Sequence, residues 1–190
     1  MNWILASGSP RRRELLEMLG VPDLTIRPAK GPERATPGAS PEQTVRELSL
    51  HKAQEVAQTC APEDIIIAAD TIVYLDGAIL GKPRDHDDAV RMLTALSGRE
   101  HIVYTGVAVL RGGELRQAVE HTAVRFRPLT SGEIERYIAT GEPMDKAGAY
   151  GIQGRGALFV AHLDGDYFNV MGLPLCRLGQ LLNELGVELL

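Results

Sequence analysis

A short segment near the N-terminus has residue types that suit phosphate binding. Its residues are Leu5-Ala6-Ser7-Gly8-Ser9-Pro10-Arg11-Arg12, so an apolar run is followed by a small turn and by a helix start that carries two arginines. Backbone N–H groups and the helix dipole favour an anion there, the hydroxyls of Ser7 and Ser9 can donate, and a guanidinium binds phosphate through two hydrogen bonds. We interpret the segment as a phosphate site. The alternative is an ordinary capped helix with a solvated basic first turn.

One aspartate follows an apolar run in the first half of the chain. Residues 65–69 show no polar alternation, which is typical of a strand covered on both faces, and Asp70 comes directly after them. A carboxylate at the carboxyl end of a buried strand lies where open α/β sheets bind ligands, and it can hold Mg²⁺ or orient a water molecule. The alternative is an aspartate that turns the chain and caps its own loop.

The lysines are few, because the 20 basic residues comprise 16 arginines and four lysines. Lys52 lies at helical spacing from Val45, Leu48 and Val56, which places it on an apolar stripe. Its ammonium group then needs an anion or water, and extension of the side chain into solvent is the alternative. Lys82 lies in a rigid Gly-Lys-Pro turn, where it can point into a cleft or into bulk water.

The stretch at residues 145–156 contains four glycines and has neither helical nor strand periodicity. Such glycines let the backbone approach a ligand closely, and the Gln153 amide carries the donor and acceptor needed to contact a nucleobase edge. A flexible surface loop is the alternative. The stretch matches neither a Walker A motif nor a dinucleotide-binding fingerprint.

The elements that must position these groups alternate between helices and strands, which predicts an α/β fold with a mixed, twisted sheet flanked by helices. Ser9 and Ser40, each followed by proline, predict helix starts, and Thr130 with Glu133 predicts a capping box. Asp76-Gly77 predicts a hairpin. Further strands are predicted at residues 3–6, 101–110 and 115–126, and further helices after Asp85 and after residues 172–174.

Composition limits the classes of function. With 190 residues, one domain over 1–190 is expected, and no apolar run is long enough to span a membrane. A net charge of -5 and 5% aromatic residues disfavour nucleic-acid binding. We expect a cytoplasmic protein. Cys60 and Cys176 are expected to be inert, the five histidines structural or exposed, and the absence of a zinc or nucleophile signature favours metal-assisted hydrolysis.

Several motifs in order and spacing resemble those of the Maf family of nucleotide pyrophosphatases. They are the N-terminal segment described above, Ala69-Asp70-Thr71, Gly81-Lys82-Pro83, the long motif from Glu142 to Gly154, and Gly172-Leu173-Pro174. The resemblance covers nearly the whole chain. It implies two lobes around a deep cleft, similar to inosine triphosphate pyrophosphatase-like (Maf/Ham1) folds, and hydrolysis between the α and β phosphates with a divalent metal, Mg²⁺ or Mn²⁺.

The same resemblance implies roles for individual residues. Asp70 matches the catalytic proton acceptor and a metal ligand, and Glu33 lies where an acid helps to hold metal, although Pro32 departs from the acidic pair common there. The implied phosphate ligands are Ser7, Arg11, Arg12, Lys52 and Lys82. Arg11, Thr71 and Gln153 match positions that separate the dTTP/UTP subgroup from the 7-methyl-GTP subgroup.

Two further expectations follow from the resemblance and from base rates. The family is also associated with inhibition of septum formation, so a nucleotide-binding regulator of cell division without turnover is the alternative function. Clearance of modified nucleotides is a related expectation. The partner is a nucleoside triphosphate, and base rates for soluble proteins favour a homodimer as the assembly to test.

Overall fold

The chain forms an α/β fold in a computed structural model, which describes residues 1–32 and 34–190. The strands are β1 (Trp3–Leu5), β2 (Thr25–Ile26), β3 (Ile65–Leu75), β4 (Ala78–Leu80), β5 (Glu100–Arg111), β6 (Glu114–Phe126) and β7 (Val160–Asp164). The α-helices are α1 (Pro10–Met18), α2 (Pro41–Ala57), α3 (His86–Leu96), α4 (Ser131–Ile138), α5 (Tyr167–Met171) and α6 (Leu175–Glu184). Short 3-10 helices lie at Glu142–Asp145, Ala147–Ala149 and Arg155–Phe159.

The sheet is mixed, with the strand order β2-β1-β3-β5-β6-β7, and β4 pairs with β3. β1 runs parallel to both β2 and β3, whereas the β3–β4 and β6–β7 pairs are antiparallel. The predicted fold class, a mixed sheet flanked by helices, is therefore confirmed. The sequence pattern does not predict β2, β7 or α5, because elements of two to five residues are too short to show a periodic pattern.

The chain divides into two compact units. The first unit comprises Met1–Asp70, Thr105–Glu120 and Gly172–Leu190, and the second comprises Thr71–Tyr104 and His121–Met171. Three strands, β3, β5 and β6, contribute residues to both units. The expectation of a single domain over residues 1–190 stays a prediction. In the part of the chain that the structure describes, no helix combines the length and apolar character needed to cross a membrane.

Two helices of the first unit begin at serine-proline pairs, as predicted. In α2 the Ser40 hydroxyl accepts a hydrogen bond from the Gln43 N–H at 3.1 Å and so satisfies one backbone donor of the first turn. In α1, Ser9 occupies the cap position, but its side chain makes no capping hydrogen bond. The Ser7 hydroxyl serves this turn instead and accepts from the Ser9 N–H at 3.3 Å. The predicted start of α1, with Ser9 as the N-cap residue and Pro10 in the first turn, is confirmed.

Helix α2 touches β5 through backbone atoms at Gly106, inside the first unit. A Cβ atom on Gly106 would lie 2.5 Å from the carbonyl carbon of Val45 and 3.0 Å from the backbone nitrogen of Arg46. A side chain therefore cannot be accommodated without moving the helix. Further along α2, towards its C-terminus, Ala53 and Val56 are buried and pack the apolar face of the helix on the sheet. The crossing fixes the position of every side chain that α2 presents to the sheet.

Local signals explain how the second unit folds. Asp76 and Gly77 have positive φ values of 47° and 84°, as the predicted hairpin turn requires, and they join β3 to β4. Helix α4 begins with the predicted capping box: the Thr130 hydroxyl accepts from the Glu133 N–H, and the Glu133 carboxylate accepts from the Thr130 N–H. The Asp85 carboxylate caps α3 in the same way by accepting from the Asp88 N–H at 2.8 Å.

A buried histidine lies inside an aromatic cluster of the second unit. His101 is 2% exposed, its Nε2 lies 2.8 Å from the Tyr150 hydroxyl, and its ring packs edge to face on Phe126 with centroids 5.0 Å apart. Its other ring nitrogen, Nδ1, is buried and has no hydrogen-bond partner among the described residues. Burial therefore lowers the pKa of His101 to about 4. The residue is structural, as predicted.

This histidine predicts a loss of stability in acid. Between the unfolded pKa of about 6.5 and the folded value of about 4, the unfolded chain binds more protons. Above pH 6.5 His101 is neutral in both states and its protonation costs the fold nothing. As the pH falls towards 4, the unfolded chain takes up a proton that the folded chain does not, and the free energy of unfolding falls by about 3 kcal/mol. Urea unfolding at pH 7.5 and pH 4 should show this loss in the parent chain and a smaller one in His101→Gln. Equal losses in the two proteins would contradict the prediction, because carboxylates contribute equally to both.

Candidate active site

Asp70 lies within strand β3 and not at its end. The strand continues from Ile65 to Leu75 without a break, and Asp70 is 7% exposed. The predicted strand end at Asp70 is therefore wrong, because Thr71, Ile72 and Val73 are β-branched residues that extend the strand. The alternative of an aspartate that turns the chain and caps a loop is also wrong. A nearly buried carboxylate in the middle of a strand is held rigidly by the sheet.

Lys52 extends from α2 to this carboxylate. Its Nζ atom donates to Asp70 Oδ1 at 2.5 Å, and the two side chains are 16% and 11% exposed. The helical spacing predicts that a lysine on the apolar stripe needs an anion or water, and in the structure Asp70 is that anion. Opposite charges that are largely withdrawn from water attract each other more strongly than a surface pair. The ion pair therefore orients the Asp70 carboxylate.

Ser7 comes two residues after the end of β1, the strand that pairs with the Asp70 strand β3. The parallel register pairs Leu5 with Ile67, and the Ala6 N–H donates to the Ile67 carbonyl at 2.8 Å. Ser7 and Asp70 are thus the first polar residues beyond the paired stretch of two adjacent parallel strands. Because the two strands run in the same direction, and Ser7 lies two residues beyond Leu5 and Asp70 three residues beyond Ile67, the two residues lie in the same region of the first unit.

The Arg12 side chain is buried and holds this loop together. Its NH1 donates to the Ser7 hydroxyl at 3.0 Å, and its Nε donates to the Gly172 carbonyl at 2.8 Å. Arg12 therefore connects the turn after β1 to the segment before α6, and it orients the Ser7 hydroxyl. Arg11, its neighbour in the first turn of α1, is half-buried. No acidic side chain lies in that first turn, so the helix start keeps its attraction for anions.

The remaining predicted ligands belong to the second unit. Thr71 follows Asp70 in β3 and is half-buried, and Lys82 is exposed in the turn after β4. The carbonyl of Gly81, next to Lys82, accepts from the Gly148 N–H at 3.0 Å. This bond attaches the lysine turn to the glycine-rich stretch. Lys82 and Gln153 are therefore carried by two segments that are joined to each other.

Gln153 lies on an exposed turn of the glycine-rich stretch. The Gly154 N–H donates to the Gly151 carbonyl at 3.3 Å, while Ile152 is 8% exposed and fixes the turn in the core of the second unit. The stretch thus forms a turn between short 3-10 helices, and the alternative of a flexible surface loop remains untested. Gln153 itself is exposed.

Glu142 and Tyr137, which no sequence pattern marks as functional, close this turn. The Glu142 carboxylate accepts from the Tyr137 hydroxyl at 2.8 Å and from the Arg155 N–H at 2.9 Å, and the Gly151 N–H donates to the Tyr137 oxygen at 3.1 Å. Burial would raise the pKa of Glu142, but these donors together hold it below its usual value. The one available signal was the position of Glu142 at the head of the glycine-rich motif.

Comparison with known sequences identifies the family. A sequence model described as "Maf-like protein" matches residues 2–185 of this chain. The chain belongs to the Maf family. One Maf relative, a dTTP/UTP pyrophosphatase of Moorella thermoacetica, is 52% identical over 187 residues, which cover 97% of this chain and 95% of the relative. A second, a dTTP/UTP pyrophosphatase of Symbiobacterium thermophilum, is 52% identical over 183 residues, which cover 96% of this chain and 93% of the relative.

A solved structure agrees with the Maf fold expected from the sequence. The HAM1 protein from Coxiella burnetii superposes with a TM-score of 0.52 over 97% of this chain and 99% of that chain, at 15% identity. At so low an identity the similarity concerns the fold alone. The predicted likeness to Maf/Ham1 folds is confirmed.

The structure brings two pairs of the predicted Maf site residues into contact, both in the first unit. In the first unit, Lys52 contacts Asp70, and Arg12 contacts Ser7. Glu33, the second predicted metal ligand, lies outside the described residues. No group of three or more His, Cys, Asp or Glu side chains in the described ranges, 1–32 and 34–190, is placed to hold a metal ion. The individual roles of these residues stay predictions.

Proposed function

We propose that this chain is a nucleoside triphosphate pyrophosphatase that hydrolyses dTTP and UTP to the monophosphate and pyrophosphate. The observation that carries this conclusion is 52% identity over 97% of the chain to a dTTP/UTP pyrophosphatase. The site is consistent with this function, since the oriented Asp70 carboxylate and the segment at residues 7–12, whose residue types suit phosphate binding, lie in the first unit. The Gln153 turn in the second unit supplies a group that can read a base.

The proposed chemistry begins at Asp70. Its carboxylate takes a proton from the water that attacks the α phosphorus, and the bond between the α phosphorus and the bridging oxygen breaks, so that pyrophosphate leaves. Lys52 orients this carboxylate through the 2.5 Å contact. Ser7, Arg11, Arg12, Lys52 and Lys82 bind the phosphates, and fixed positive charge stabilises the negative charge that develops on the leaving group.

The donor set fits a divalent metal bound together with substrate. Mg²⁺ keeps several waters and takes one or two carboxylates plus substrate phosphates, so a cage of three protein acids is not required. Asp70 supplies one nearly buried carboxylate, and we propose Glu33 as the second. When bound, Mg²⁺ or Mn²⁺ would neutralise phosphate charge and polarise a phosphoryl oxygen.

A panel of nucleotides tests the proposed function. Pyrophosphate release is measured with dTTP, UTP, CTP, 7-methyl-GTP, ITP and the standard purine triphosphates, each with Mg²⁺, with Mn²⁺ and with EDTA. We expect dTTP and UTP to have the highest kcat/KM and EDTA to abolish turnover. Nucleotide binding without pyrophosphate release from any substrate would reject the enzyme and favour the regulator of cell division.

Three broader expectations remain part of the proposal. We expect the protein to act in the cytoplasm, where nucleoside triphosphates are available, and to bind no nucleic acid or membrane. A homodimer is expected from the prevalence of twofold oligomers. Light scattering of the purified chain at several concentrations measures the last of these directly.

A further inference from the structure

The Glu142 carboxylate binds the glycine-rich turn from both of its oxygen atoms. Oε1 accepts from the Tyr137 hydroxyl at 2.8 Å and from the Gly156 N–H at 3.2 Å, while Oε2 accepts from the Arg155 N–H at 2.9 Å. The Tyr137 oxygen in turn accepts from the Gly151 N–H at 3.1 Å. The start and the end of the turn that carries Gln153 are therefore bound to one pair of side chains.

Only a carboxylate satisfies this arrangement. All three groups around Glu142 donate, and a carboxylate accepts at both oxygens, whereas a carboxamide accepts at one atom and donates at the other. Either orientation of a glutamine at 142 would place its NH₂ group against a backbone N–H or the tyrosine hydroxyl. Glutamine has the shape of glutamate but no charge. Glu142→Gln therefore removes the hydrogen bonds of the carboxylate and keeps the packing of the side chain.

The turn also comes so close to Glu142 that a side chain at its tip would displace the carboxylate from its hydrogen bonds. A Cβ atom on Gly154 would lie 2.5 Å from Glu142 Cδ and 2.6 Å from Oε2. Gly154 is the neighbour of Gln153, so the carboxylate acts as the surface against which the turn is seated. The position of the Gln153 Cα atom therefore depends on Glu142.

Reading a pyrimidine base needs such a fixed position. Uracil and thymine present the O4 acceptor beside the N3–H donor, whereas cytosine presents the N4 donor beside the N3 acceptor. A glutamine amide carries one donor and one acceptor, and a half-turn of the amide exchanges them. Which orientation is favoured depends on the groups around the amide, so a turn that holds Gln153 in one place against these groups favours one base, whereas a loose turn permits both orientations.

We propose that Glu142, with Tyr137, is a positioning residue that sets the preference of this site for uracil and thymine over cytosine by seating the Gln153 turn. This inference rests on the proposed function, in which Gln153 contacts the base. Glu142 itself touches no reacting atom and acts only through the turn.

Steady-state kinetics with UTP and CTP tests the inference. In Glu142→Gln we expect kcat/KM for UTP to fall about 10-fold through KM, with kcat within about twofold of the parent and CTP nearly unchanged. Gln153→Ala should show the same loss of selectivity. Because both changes act on one contact, the double variant should be no less selective than Gln153→Ala alone.

Backbone hydrogen exchange gives a readout that does not depend on activity. The amides of Gly151, Arg155 and Gly156 should exchange faster in Glu142→Gln than in the parent chain. Tyr137→Phe keeps the ring and removes the bridging hydroxyl, and it carries the test if Glu142→Gln does not fold.

A matched control comes from another buried hydrogen-bond network of the same unit. The Thr122 hydroxyl donates to the Asp166 carbonyl at 3.0 Å and accepts from the Asn169 side chain at 2.9 Å. Thr122→Val should lower stability and leave the ratio of UTP to CTP unchanged. If Thr122→Val loses the ratio as well, selectivity follows general stability and the inference fails.

The remaining outcomes separate the inference from the proposed function. If Gln153→Ala loses selectivity while Glu142→Gln and Tyr137→Phe keep it, the role given to Glu142 is wrong and the proposed function stands. If Gln153→Ala keeps full selectivity, Gln153 does not read the base, and both the inference and that part of the proposed function are overturned.

Discussion

Replacing Asp70 with asparagine is expected to leave the chain folded and to lower kcat/KM for UTP by about 10²- to 10⁴-fold. Asparagine has the shape of aspartate and keeps an oxygen that can accept from Lys52, which now lies 2.5 Å from Asp70 Oδ1. It cannot take a proton from water at neutral pH. Pyrophosphate release measures the rate, and thermal unfolding with circular dichroism checks the fold.

A second buried aspartate of the same strand region provides the control. Asp64 precedes β3, is 5% exposed, and accepts from the backbone and side-chain nitrogens of Asn2, both at 2.9 Å. Asp64→Asn should therefore reduce stability and leave kcat close to that of the parent chain. An Asp70→Asn protein with parental turnover would remove Asp70 from the mechanism, and an inactive Asp64→Asn protein would show that any damage to this strand stops turnover.

The largest effect on stability is expected at Gly106, where α2 crosses β5. In Gly106→Ala the added methyl group meets the backbone of Val45, 2.5 Å away at the carbonyl carbon. A side chain could rotate away, but the helix backbone can only move as a whole. We therefore expect the free energy of unfolding to fall by about 3 kcal/mol, at the upper end of overpacking effects. Denaturant unfolding measures this loss.

The same substitution at Gly179 should have the opposite sign. Gly179 lies inside α6 of the same unit, and a Cβ atom there meets nothing within 4 Å. Alanine favours a helix over glycine by about 1 kcal/mol, so Gly179→Ala should stabilise the chain. Since α2 also carries Lys52, any Gly106→Ala protein that folds should lose activity as well. Equal stability of the two alanine variants would show that α2 can move away from β5 at little cost.

Elements with local signals could be predicted from the sequence. The Asp76-Gly77 hairpin and the Thr130 capping box depend on residues one to three positions apart, and the structure confirms both. Asp70 was placed wrongly at a strand end because the polar residue interrupts the apolar pattern, whereas the strand continues through pairing with other parts of the chain.

The partner of Lys52 and the order of the glycine-rich turn depend on contacts that sequence periodicity does not encode. The helical spacing showed that Lys52 needs an anion, but not that the anion stands 18 positions away on a strand. Likewise the glycines at 151, 154 and 156 suggested a loop, because the carboxylate that orders them, Glu142, precedes them by 9 to 14 positions and leaves no periodic trace.

The short distance along the chain between Glu142 and the turn it closes has a consequence for recombination among relatives. Tyr137, Glu142, Gln153 and Gly156 lie within 20 consecutive residues, so an exchange of the block 137–156 transfers the turn together with its supports. An exchange of residues 151–156 alone would pair a foreign turn with the resident carboxylate. A chimera that receives residues 137–156 should therefore take the base preference of the donor, whereas a chimera that receives residues 151–156 alone should not.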